Sequence, residues 1–137
     1  MKKIMFFATI FILSLLLVAC QPSVDQAKAD FCADLGEFAQ AQVSLRSTNA
    51  TSTKDELNQA LSNLEQSWNN LLDSATTLGE VQVDGIQESF ENLKNDISNI
   101  PDDATLAEAE LTVKQDLLNM VAETQQIVTT TCTYGQD

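Results

Sequence analysis

The chain has 137 residues, with 20 Asp and Glu against 7 Lys and Arg, no His, and a formal net charge of −13. That balance speaks against nucleic acid, whose phosphates call for clustered Lys and Arg, and against anionic headgroups; Arg46 is the only arginine. Four Gly, two Pro and apolar residues at helical intervals fit neither a disordered chain nor a β-sandwich.

At the N-terminus, Lys2 and Lys3 precede an apolar run from Ile4 to Val18, interrupted only by Thr9 and Ser14, that ends Leu17-Val18-Ala19-Cys20. The run is long enough to enter an export machinery and short for a bilayer span. This segment resembles a bacterial lipoprotein signal. The resemblance implies removal of residues 1–19, acyl chains on Cys20 as the new N-terminus, and a cell-envelope location facing the extracytoplasmic side. Alternatives are ordinary secretory cleavage after Ala19 or retention of the run as an anchor. Two or three acyl chains on one Cys give durable attachment where a single chain does not. Gln21 stands where an Asp would signal inner-membrane retention, so an outer-membrane destination stays open in a two-membrane cell.

Cleavage before Cys20 takes Lys2 and Lys3 and no acid, leaving 118 residues with a formal charge of −15. A chain of that size suits one domain and buries about two thirds of the surface it would expose unfolded. With Cys20 consumed by lipid, Cys32 and Cys132 remain, in a compartment where disulfides persist. They are predicted to pair; the alternative is two separate buried thiols.

Residues 20–23 read as a lipid-anchored tether. Ser23-Val24-Asp25-Gln26 has the form of a capping box, and Val24, Phe31, Phe38 and Leu45 recur every seven residues beside Cys32, Leu35 and Ala39. A loop over 47–52 follows. Thr53-Lys54-Asp55-Glu56 is a second capping box, opening a seam of Leu57, Leu61, Leu64, Trp68, Leu71, Ala75 and Leu78 in steps of four and three. Gly79 is the expected stop. Asp84 is the expected cap of a shorter third helix, with Val83, Ile86, Phe90, Leu93, Ile97 and Ile100 on one face and Pro101 at its end. After a turn at Asp102-Asp103-Ala104, a third box at Thr105-Leu106-Ala107-Glu108 opens a helix to about Cys132. Its stripe is Leu106, Val113, Met120 and Ile127, flanked by Leu117, Val121 and Val128. Thr129, Thr130 and Thr131 weaken its last turns through χ1 restriction, and 133–137 reads as a frayed tail.

The expected fold is all-α: an up-down-up-down four-helix bundle over 24–132, since short connections favour antiparallel neighbours. That topology brings Cys32 and Cys132 to the same end, with Cys20. The rival is a three-helix bundle with a broken middle helix.

Without His there is no His-assisted nucleophile, imidazole base, or ordinary haem or zinc site, and no Cys-x-x-Cys occurs. The closest acidic groupings are Asp30/Asp34/Glu37, Glu88/Glu91 and Glu108/Glu110. They fall off the apolar stripes, where burial would not raise their pKa values, and read as solvated faces. No cofactor or metal is expected. Trp68, Phe31, Phe38 and Phe90 read as core, with a ligand-facing role for the rings as the alternative.

From Asp30 to Cys132 the chain resembles small uncharacterised exported bacterial proteins. The shared features are Cys32, Leu35, Phe38, Ile100-Pro101-Asp102-Asp103-Ala104-Thr105 leading into the last helix, and Cys132. The resemblance implies a disulfide-closed helical bundle and brings no activity. Murein-type lipoprotein fits less well, because the heptads break at Gly79 and Pro101 and no C-terminal Lys is present. The expectation is therefore a non-enzymatic, membrane-tethered interaction or structural module with a possible envelope protein partner. The alternative is a carrier or sensor for a small apolar ligand within the bundle.

Overall fold

The computed structural model describes residues 22–48, 52–79, 81–101 and 106–133, with the side chains of 106–112 outside the description. Residues 1–21, with the expected signal and Cys20, the turn at 102–105 with its capping box, and residues 134–137 of the tail lie outside the described residues. Four helices account for the fold: α1 (Val24–Ser47), α2 (Lys54–Leu78), α3 (Asp84–Ser98) and α4 (Leu106–Ile127). Among the described residues every element is helical. α2 ends at Gly79 and α3 begins after Val83 as a separate helix.

The Ser23 hydroxyl starts α1 by accepting the Gln26 N–H at 3.2 Å. The second half of that box is not formed, because the Gln26 side-chain amide donates to Asp30 at 2.8 Å instead. Phe31, Leu35, Phe38 and Leu45 are buried as the periodicity requires, but Val24 is 72% exposed. A helical side chain covers the turn before its own Cα, and Val24 is the first helical residue, with no turn before it to cover. Ala27 begins the buried face.

The second capping box forms completely. Glu56 N–H donates to the Thr53 hydroxyl at 3.2 Å, and the Glu56 carboxylate accepts the Thr53 N–H at 2.8 Å. Thr53→Ala is expected to cost about 1 kcal/mol by releasing this end of α2, read as a lower urea midpoint at unchanged m-value. Gly79 closes α2 at φ +74°, in the left-handed region that glycine adopts without a Cβ clash, and its N–H bonds to the Ala75 carbonyl at 2.9 Å.

The expected cap of α3 requires correction. Asp84 is its first helical residue, and the capping position falls to Val83, which makes no side-chain cap. Val83 is buried with the core, and the helix begins immediately after it, one residue earlier than a capping Asp84 would allow. Asp84 therefore acts on the helix dipole. At the other end the Ile100 N–H bonds to Ile97 before Pro101 stops the helix, and Lys54 Nζ donates to the Ile100 carbonyl at 2.8 Å.

In its last residues α4 widens into a π-helical turn, Val128–Cys132. The Thr129 and Thr130 hydroxyls bond back to the Gln126 carbonyl at 2.8 and 2.9 Å. This is where the threonine run was expected to weaken the helix.

Phe31, Leu35, Phe38, Leu64, Leu71, Ile86, Leu93, Ile97 and Met120 are all but sealed from solvent and form one continuous core. Trp68 joins three helices, with ring centroids 5.6 Å from Phe38 and 5.8 Å from Phe90. Helix α1 packs along α2 and α3 along α4, and α1 also meets α4 and its terminal turn. Across that last contact the Gln42 side-chain amide donates to Thr124 Oγ1 at 2.8 Å, with both residues buried.

Candidate functional site

Cys32 and Cys132 form the expected disulfide, with an S–S distance of 2.09 Å and Cα atoms 5.8 Å apart. The bridge ties the third turn of α1 to the terminal π-helical turn. Both cysteines are half-buried against the core, so the bond closes the bundle rather than presenting a reactive thiol.

The acidic groupings divide. Glu37, Glu88 and Glu91 are exposed, and the side chains of Glu108 and Glu110 lie outside the described residues. Asp30 and Asp34 face α2 and, with Asp73, Asn70, Ser74, Thr77 and Ala27, line a cleft of about 310 Å³. Six of its seven lining residues carry a carboxylate or a neutral polar group. Among the described residues no grouping of acids and cysteines is arranged to hold a metal ion. No helix among them is long and apolar enough to cross a membrane.

One carboxyl pair has a different character and was not found in the sequence. Asp116 of α4 lies half-buried within hydrogen-bonding reach of Asp96 on α3, and its Oδ2 is sealed from solvent without a hydrogen-bond partner. Burial pushes the Asp116 carboxyl up to about 6, and the contact with Asp96 and the like charge of that residue push the same way. The available signal was position: each aspartate immediately precedes a buried stripe residue, Ile97 or Leu117, and so flanks a helix seam. On the opposite side of α3, Lys94 holds Glu65 of α2 at 2.6 Å, and this hydrogen bond and its charge raise the lysine pKa.

Phe31, Phe38 and Phe90 are buried and Trp68 is 4% exposed. All four are core residues, and Trp68 packs against Phe38 and Phe90. Comparison of the chain with protein-family models, curated proteins and solved structures gives no match.

Proposed function

We propose that this protein is a non-enzymatic lipoprotein of the bacterial cell envelope, moored through acyl chains on Cys20 and serving as an interaction or structural module. The observation that carries the reading is the N-terminal pattern, in which two lysines and an apolar run end at Leu17-Val18-Ala19-Cys20. The Cys32–Cys132 bridge agrees with it, since stable disulfides belong to chains that leave the reducing cytosol. A chain without His, and with Phe31, Phe38, Trp68 and Phe90 packed into the core, also agrees with a module that works by its surface.

For residues 24–132 we propose the up-down-up-down order. The contacts that support it run in opposite directions along neighbouring helices. Lys54, Glu65 and Trp68 of α2 meet Ile100, Lys94 and Phe90 in turn. Cys32 and Gln42 of α1 likewise meet Cys132 and Thr124. Such a bundle returns the chain to the end where α1 begins, so the disulfide and the tether at 20–23 share the membrane-proximal end.

Metabolic labelling of the producing bacterium with an alkyne fatty acid is expected to tag the wild-type protein in the membrane fraction and to leave Cys20→Ser untagged. An untagged wild-type protein in the cytosol would overturn the anchoring. Crosslinking in intact envelopes is expected to recover a protein partner, and recovery of the free lipoprotein alone at native abundance would remove the interaction role.

A further inference from the structure

We infer that the Asp96–Asp116 carboxyl pair is a pH-sensitive latch between α3 and α4: with one proton between them the carboxyls hold the two helices together, and fully ionised they push them apart.

The geometry supplies both halves of the device. Asp96 and Asp116 stand on helices α3 and α4, which pack along each other, and Oδ2 of Asp116 is shut off from water with no donor to satisfy it. An ionised Oδ2 in that position has neither water nor a hydrogen-bond donor, and the neighbouring charge is of like sign. A single proton supplies an O–H donor between the carboxyls and removes the like-charge repulsion; the pair then titrates as a unit.

The other charged groups nearby are engaged elsewhere or exposed. Lys94 is held by Glu65 on α2, and the Lys54 ammonium donates to the Ile100 carbonyl. Arg46 is exposed in the last turn of α1, as is Lys114 on α4. Glu123, two turns beyond Asp116, lies against Gly85 at the start of α3 and adds only negative charge. Among the described residues, Asp96 is the charged group that acts on Asp116.

The sign follows from linkage. A carboxyl whose folded pKa is raised binds its proton more tightly in the folded state, so stability falls as pH rises from the ordinary aspartate value, near 4, through about 6. The contact is at full strength at the acid end of that window and weakest above it. The rest of the fold decides where the loosening appears. Beyond Thr124, α4 is fastened to α1 by the Gln42 hydrogen bond and the disulfide, whereas Asp116 lies ahead of both ties. The segment that loosens at neutral pH is therefore the part of α4 around Val113–Met120.

The test uses the full chain, purified in detergent, as wild type, Asp116→Asn and Asp96→Asn. Carboxyl-carbon NMR is expected to place the Asp116 midpoint near 6, with a clear downward shift in Asp96→Asn. A midpoint with the ordinary aspartates near 4, or one insensitive to Asp96→Asn, overturns the pairing. After correction for intrinsic exchange rates, amides of 113–120 should lose about tenfold protection between pH 5 and 7, allowing for solvent screening. Amides of 124–132 should not follow them, and Asp116→Asn should abolish the difference. If that variant keeps the wild-type pH response, general charge repulsion is responsible and the latch is refuted.

Discussion

Replacing Cys32 or Cys132 by serine is expected to lower the melting temperature by the same amount, because either change opens the same loop, whose ends are 100 residues apart. The chain-entropy argument sets a ceiling of about 4.7 kcal/mol for a loop of roughly that length, and losses of native disulfides from small domains run about 2–5 kcal/mol. At this chain size that corresponds to a drop of roughly 10 °C by calorimetry. The double variant should be no less stable than either single one, since the second substitution removes nothing that the first has left. Unequal losses, or a free thiol titrated in the native protein, would contradict the bridge. The structural consequence should be local: α4 stays fastened to α1 at Thr124 through Gln42, while the Val128–Cys132 turn, with its hydroxyls already bonded back to Gln126, loses its only covalent hold.

What could be read in the sequence follows from what a helical period encodes. Burial repeated every three or four residues marks a face, so Leu57 to Leu78 and Val83 to Ile100 were legible as seams before any coordinates. The cysteines were legible for a different reason, since two thiols in a chain read as exported have few other fates. Contacts that depend on which helix lies opposite were not. Gln42 and Thr124 are buried because each is the other's partner, and nothing in either helix alone announces that. Ser67 and Ser74 are buried on α2 with their hydroxyls turned back to the Leu64 and Leu71 carbonyls, which satisfies them within their own helix. Acidic groupings along a single helix read as solvated faces, whereas Asp96 and Asp116 lie on two facing helices. Cys20 poses the reverse case: the lipidation proposed for it rests on the local sequence alone and on no contact within the bundle.

Trp68→Ala is expected to cost about 3–5 kcal/mol, the range for emptying a large aromatic site in a packed core. Trp68 is 4% exposed and stands between Phe38 of α1 and Phe90 of α3, so its removal opens a void facing three helices at once. The tilted ring pairs add about 0.5–1.5 kcal/mol each beyond buried area. Trp68→Phe should recover more than half of the loss by refilling most of the volume. The control is Val43→Ala on the exposed face of α1, expected within about 0.5 kcal/mol of wild type. Because this is the single tryptophan, unfolding of the variants has to be followed by far-ultraviolet circular dichroism. A loss below about 1 kcal/mol for Trp68→Ala would mean that the ring does not carry the packing. The same geometry sets the fluorescence of the native protein. A ring enclosed by Phe38 and Phe90 should emit at short wavelength, resist a neutral quencher, and leave no open face on which an apolar ligand could stack. Ready quenching in the native state would return the ligand-facing reading of Trp68 to contention and, with it, the carrier as the function of the bundle.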